Sequence, residues 1–279
     1  MRTVAKILIV SIVVGTLLIG TTLILFFGTI PTNNPPDDND DTPEIPLEPP
    51  AGLSYKGVDI IWLVVAGVKL KYNDIVIFID PFDIDGRNES IFEAADYIII
   101  THNHQPHCSP RDIRFVSDEN TTLITAREPS FVPGVFEDEV VLPGENLTYG
   151  DITFEFFPSY NIDKYNSEGV LFHPPSANNI GVVMDFNGTR IYHSGDTDAI
   201  SEMQNISADI ALLPVSGYAW MTADEAAIAV DYLQESHNLT YAIPIHWGYN
   251  EGSRFDAERF QDRADCDVII LDMLFSKYS

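Results

Sequence analysis

The chain predicts an α+β layered sandwich, one domain in size and preceded by a single apolar helix, on three observations. Short runs rich in Val, Ile, Tyr and Phe recur along residues 52–279, each bounded by Gly, Asp, Asn or Pro, which is the pattern of buried strands. Helix signatures with capping residues fall between the later runs, so strands and helices interleave. An uncharged stretch of 21 residues, 7–27, stands apart from everything after it.

Taken in order, residues 1–6 carry Arg2 and Lys6 and read as a short cytoplasmic N-terminus. As a helix, residues 7–27 span about 32 Å, close to the hydrocarbon thickness of a bilayer, and so predict a transmembrane anchor. A cleaved signal peptide is the rival, with secretion as its outcome. Its apolar region is usually shorter and ends at small residues, whereas this one ends in Phe26-Phe27-Gly28-Thr29. Both nearby bases precede the span and the next is Lys56, which places the C-terminal domain outside the cytoplasm. Residues 28–51 form a Pro/Asp-rich linker, expected to be a disordered tether, with Asp37, Asp38, Asp40, Asp41, Glu44 and Glu48 among its prolines. Glycosylation sequons at Asn88, Asn120, Asn146, Asn187, Asn205 and Asn238 suit a glycoprotein on the outer side. Two cysteines, Cys108 and Cys266, are too few for a disulfide scaffold.

Within 52–279, strands are expected at 58–65, 75–79, 97–100, 152–157, 180–186, 190–193, 210–214, 241–245 and 268–271. Thr222 with Glu225 forms a capping-box signature ahead of a helix over 226–233, and Ser253 caps a second running to about Arg263. Composition narrows the function. Asp and Glu number 42 against 15 Lys and Arg, for a net charge of −27, which disfavours nucleic acid as a partner because phosphates need cations. At 45% hydrophobic residues the chain still supports a core.

Three of the seven histidines lie within six residues, in Thr101-His102-Asn103-His104-Gln105-Pro106-His107, directly after the strand expected at 97–100. Imidazoles leaving a strand end converge on one point, and neutral imidazole suits zinc, iron or manganese. Two further strands run into His193-Ser194-Gly195-Asp196-Thr197-Asp198 and His246-Trp247-Gly248. Together these residues suffice for one or two divalent ions.

In these motifs, with Asp80-Pro81 ahead of them and Pro244-Ile245-His246 behind, the chain resembles the metallo-β-lactamase superfamily. The resemblance is greatest to its branch of metal-dependent hydrolases that includes L-ascorbate-6-phosphate lactonase and the phospholipase D acting on N-acylethanolamine lipids. It implies a four-layer αββα sandwich with metals at one edge. It further implies His102, His104 and His193 at one metal, His107 and His246 at the other, and Asp196 bridging, with Asp196 and His246 the catalytic residues. The family pattern His-x-His-x-Asp-His meets Pro106 at its carboxylate position, which weakens the second site. Cys108 is a minor candidate to replace that ligand. Relatives often read Trp-Leu-Gly-His-Ala where this chain has Trp62-Leu63-Val64-Val65-Ala66.

The expected reaction is attack by metal-activated hydroxide on an ester, lactone, amide or phosphodiester, with zinc the first choice of metal. The substrate is expected to be a small molecule or a lipid, and the acidic field favours a neutral one. Tyr160-Asn161 and Phe172-His173-Pro174 match a loop near the metal edge in relatives, which makes His173 a minor pocket candidate, and Trp247 either lines the pocket or packs. The competing class is a binding or structural protein that keeps the fold and at most one metal.

Overall fold

A computed structural model of the chain describes residues 52–84, 93–126, 139–236 and 239–274; the anchor and linker expected at 7–51 lie outside them. Among the described residues no helix is long and apolar enough to cross a membrane. Within the described residues fourteen strands form two seven-stranded sheets. The first contains β1 (Gly52–Tyr55), β2 (Val58–Val64), β3 (Gly67–Tyr72), β4 (Ile75–Ile79), β5 (Tyr97–Ile100), β6 (Thr122–Ala126) and β7 (Glu139–Val141), in chain order. The second contains β8 (Asn146–Tyr149), β9 (Ile152–Pro158), β10 (Ile180–Phe186), β11 (Thr189–His193), β12 (Ile210–Pro214), β13 (Tyr241–Ile245) and β14 (Asp267–Val268), again in chain order.

Side-chain alternation explains the layering. In β4, Ile77 and Ile79 enter the large core between the sheets, while Val76 and Phe78 face a smaller cluster with Ile113 and Val116 of α1 (Pro110–Val116). The sheets meet through aromatic contacts: Tyr72 to Phe186 at 5.3 Å, Tyr97 to Phe154 at 5.4 Å and Tyr55 to Tyr241 at 5.8 Å between ring centroids. On the second sheet, α2 (Ala223–Ser236) packs against β12, and α3 (Arg254–Arg263) against β13 and β14. The layers are therefore helix, sheet, sheet, helices.

Both expected caps form. Thr222 N–H donates to Glu225 Oε2 at 2.7 Å, and Ser253 N–H donates to Asp256 Oδ2 at 2.7 Å. Helix α1 escaped the sequence reading although Ser109 accepts from Asp112 N–H and Pro110 opens it; seven residues are too few to show a period.

The parallel strands all end at one edge, where the sheets are cross-linked by backbone. His246 N–H donates to the Val65 carbonyl at 3.0 Å, and Ile180 N–H to the Thr101 carbonyl at 3.1 Å. Val65, Asp80 and His246 leave their strands in the left-handed region, at φ 55°, 46° and 56°. For a β-branched residue such as Val65 this costs on the order of 1–3 kcal/mol, and it turns the carbonyl toward His246 and the Trp62 indole N–H.

Candidate metal centre

At that edge the structure gathers His102, His104, His107, His173, Asp196 and His246. The loop after β5 delivers three of them. His107 and Cys108 N–H both donate to the His104 carbonyl, at 2.9 and 2.8 Å, closing a turn that folds His107 back to within 4.0 Å of the His102 ring. Asp196 follows β11 through Gly195 at φ 62°, where a Cβ would sit 2.8 Å from the Ile180 carbonyl, so only glycine fits. His246 follows β13 directly.

His173 enters from the loop between β9 and β10, held by a chain of hydrogen bonds. Asp198 accepts from Ile162 N–H at 2.6 Å and from Asn161 Nδ2 at 3.4 Å; Asn161 Oδ1 in turn accepts from His173 N–H at 2.9 Å. Asp198, the last residue of the His-Ser-Gly-Asp-Thr-Asp motif, thereby positions a ligand instead of being one.

Each of four rings has its Nδ1 proton committed. Thr101 Oγ1 donates to Asp80 Oδ2 at 2.6 Å, so it accepts from His102 Nδ1–H at 3.0 Å. His107 Nδ1–H donates to Asp80 Oδ2 at 2.8 Å, His246 Nδ1–H to Glu251 Oε2 at 2.9 Å, and His173 Nδ1–H to the Ala219 carbonyl at 3.0 Å. All four therefore aim Nε2 at the centre, the arrangement in which outer partners orient metal ligands. Asp196 Oδ2 lies 3.1 Å from His107 Nε2 and 3.7 Å from the Nε2 atoms of His102 and His173; its Oδ1 lies 3.0 Å from His246 Nε2. His104 points Nδ1 at His173 Nε2, 3.0 Å away.

These spacings fit metal ions. Bonds of 2.0–2.1 Å in a tetrahedral site put neighbouring ligand atoms about 3.4 Å apart, in the middle of the observed range. The buried polar atoms point the same way: His102 Nε2, Asp196 Oδ1 and His246 Nε2 make no hydrogen bond, although such atoms are almost always paired. Ligand atoms of His102, His104 and His173 lie within 4.8 Å of one another, and so do those of His102, His107 and Asp196. With His107 and His246 at the second ion, as the resemblance implies, the groups are His102 with His104 and His173, and His107 with His246, sharing Asp196 between them.

Electrostatics separates the groups. Burial holds His102 well below its ordinary value, lowers His104 and takes His173 to about 4, so these rings keep neutral lone pairs. Burial acts on His107 and His246 too, but Asp196 outweighs it, helped by Asp80 at one and Glu251 at the other; His107 rises to about 10 and His246 also rises. Asp196, despite burial, is held well below the usual carboxylate range by the same two rings.

His193 is a correction. The resemblance placed it with His102 and His104, but its Nε2–H donates to the Ala66 carbonyl at 2.9 Å and its Nδ1 accepts from Gly195 N–H at 3.2 Å. Both nitrogens are occupied, and His173 takes the place. Cys108 packs with Leu63, Phe78 and Ile113 in the smaller core. Trp247 packs on Trp62 at 5.0 Å; the tryptophan that faces a ligand is Trp220, 4.1 Å from the His246 ring. Glu251 and Trp220 carried no motif signal, since each becomes functional only through its fold neighbours.

Comparison with known proteins agrees with this geometry. The family model described as beta-lactamase superfamily domain matches residues 59–246. A UPF0173 metal-dependent hydrolase of Natranaerobius thermophilus is 28% identical, over 74% of this chain and 92% of its own. Another, from Thermoplasma acidophilum, is 29% identical over 66% of this chain and 81% of its own. Among solved structures, one described as a metal-dependent hydrolase from Parabacteroides distasonis is 27% identical with a TM-score of 0.66, covering 77% of this chain and 93% of that one. A diiron β-hydroxylase from Streptomyces venezuelae, 12% identical with a TM-score of 0.59 over 81% of this chain and 54% of its own, shares the fold alone. With a family model spanning most of the described residues and a His/Asp centre lodged at its edge, the chain belongs to the metallo-β-lactamase superfamily of metal-dependent hydrolases.

Proposed function

We propose that this protein is a membrane-anchored hydrolase acting outside the cytoplasm on neutral esters or lactones, lipids included, with two zinc-type ions in the centre. The observation that carries the hydrolytic part is the convergence of five imidazoles on Asp196, with three buried polar atoms there lacking a hydrogen bond. Bound ions of this kind lower the pKa of their water toward ~7 and polarise a substrate oxygen. Asp196, ionised, with Oδ2 toward His102, His107 and His173 and Oδ1 toward His246, is the residue placed to hold the proton of an attacking water. His246 fixes the far side of that carboxylate, and Glu251 fixes His246. Pro106 offers no donor, so the second group keeps His107, His246 and a share of Asp196 and binds its ion more weakly than the first.

The uncharged stretch 7–27, with Arg2 and Lys6 before it, supports the anchor and its orientation. Four sequon asparagines fall on described residues, Asn120, Asn146, Asn187 and Asn205, and all are exposed, as glycan attachment requires. The acidic field supports a neutral substrate.

Metal analysis of the full-length protein, with assays on a neutral ester, a lactone and a phosphodiester, tests the reading. Two ions and ester turnover abolished by His102→Ala are expected. One ion or none, with no turnover on any of the three, would leave a binding protein in its place. Protease added outside intact cells tests the topology: a domain that stays protected overturns it.

A further inference from the structure

Two small hairpins border the centre. In the loop between β9 and β10, Asn166 N–H donates to the Val170 carbonyl at 2.8 Å and Phe172 N–H to the Lys164 carbonyl at 3.0 Å, so the returning strand carries Phe172 straight into His173. In the loop between β12 and α2, Gly217 N–H donates to the Met221 carbonyl at 3.0 Å, with Tyr218 at the tip. Their rings form a continuous ladder. Phe172 lies 5.1 Å from Tyr218, Tyr218 lies 6.1 Å from Trp220, and Trp220 lies 4.1 Å from the ligand His246.

The ladder runs from solvent to the reacting centre. Tyr218 is 69% exposed and Trp220 only 5%. Beside it, the first hairpin leaves Ile162, Tyr165 and Val170 more than half exposed, an apolar surface of the kind that marks a binding site. Fixed charge here is net negative. Lys164 is held by Glu225 at 2.6 Å, Asp163 at 2.8 Å and Asp198 at 3.4 Å, three carboxylates against one ammonium, which disfavours an anionic group.

We infer that Phe172, Tyr218 and Trp220 form the subsite for the apolar part of the substrate, an acyl chain or aromatic ring attached to the ester or lactone. This rests on the hydrolytic reading of the centre and names the substrate class within it. A substrate is the occupant because the ladder ends against His246 and begins one residue before His173; docking to a bilayer or a second copy requires no such continuity with ligands. The ester carbonyl reaches Asp196 while the chain lies along the rings toward Tyr218. Tyr218 and Phe172 then set specificity by area covered, and Trp220 forms the floor.

Full-length protein in identical nanodiscs is assayed on 4-nitrophenyl acetate, butyrate and hexanoate, so that partition of the ester into lipid cancels between variants. On a ridge that covers about half of each methylene, kcat/KM rises about twofold per methylene, or roughly 16-fold from acetate to hexanoate. Tyr218→Ala flattens that rise with metal content unchanged, and Tyr218→Phe keeps it. Binding of hexan-2-one against propanone, followed by ligand NMR, reads the same subsite without turnover. Esters hydrolysed with no dependence on chain length, or a dependence unaltered in Tyr218→Ala, overturn the subsite while the hydrolase stands. Failure to hydrolyse any ester, with the ketone preference present and lost in Tyr218→Ala, overturns the ester reading while the subsite stands. If the ridge binds neutral phosphatidylcholine vesicles and neither ketone, it is a membrane contact and the inference fails.

Discussion

Strands β1 to β7 and β8 to β14 follow the same plan: three antiparallel pairings, then three parallel ones. The halves nevertheless supply the metal centre in different ways. The first concentrates His102, His104 and His107 in one loop after its fifth strand. The second draws His173, Asp196 and His246 from three separate loops, after its second, fourth and sixth strands. The ligand groups do not follow the halves, because each joins residues from both. What divides them is the oxygen behind each ring. His102 and His173 lean on a hydroxyl and a backbone carbonyl; His107 and His246 lean on the carboxylates Asp80 and Glu251. A carboxylate behind an imidazole makes it a stronger donor, and both carboxylates serve the group in which Pro106 supplies none.

The largest effect tests what the groups share. Asp196→Ala removes the one residue common to both, so metal content falls at both sites and hydrolysis drops by more than the ~100-fold typical of losing an outer partner. Retention of one full equivalent of metal would show that Asp196 belongs to a single group. Next comes the second half's choice of histidine. His173→Ala empties the first group selectively. His193→Ala keeps the metals and instead loses about 1–3 kcal/mol of stability, because the Ala66 carbonyl is left buried and unpaired. Metal analysis beside a denaturation curve separates the two, and the reverse pattern would return His193 to the centre.

That choice shows how far the sequence was readable. Unbroken apolar runs such as β5 and β13 announced themselves, and so did three histidines in six residues, because both signals are local. Strand β3 did not: Lys69 and Lys71 break its apolar pattern, and only the fold shows Lys69 buried beside Glu93. Strand β8 is exposed at alternate positions and β7 has three residues, too short for a period. His173 lay in a loop whose conformation depends on Asp198, a residue 25 positions later that reaches it through Asn161. His193 sat beside the Gly195-Asp196 motif and drew attention by proximity. Both faces of β11 are buried, with Ile191 and Tyr192 in the same core, so alternation does not reveal that His193 spends both ring nitrogens on backbone partners.

Sharpening the contrast between the groups requires the outer carboxylates. Glu251→Gln keeps a hydrogen-bond acceptor behind His246 and removes its charge, so the second ion binds about 10–100-fold more weakly while the first is unchanged. Asp80→Asn acts on His107 in the same direction, with added loss of stability because Asp80 also accepts from Thr101 N–H at 2.8 Å. Calorimetric titration of metal-free protein resolves two binding steps, and equal weakening of both would erase the distinction between carboxylate-backed and neutral-backed rings.

The finest test is the response of the same two steps to pH. His107 is raised to about 10, so in metal-free protein it holds a second proton throughout the neutral range, and an ion entering beside Asp196 must displace it. Release of the His107 proton alone makes the affinity of the second group rise about tenfold per pH unit from roughly pH 7 to 9, levelling as pH passes the raised value, and His246, raised as well, can only steepen that rise. His102 and His173 stay neutral there, lowered by burial, so the first group has no proton to lose and its affinity stays flat over the same window. A parallel rise in both steps would mean that the two groups share their protons as they share Asp196, and the carboxylates behind His107 and His246 would then act on the centre as a whole.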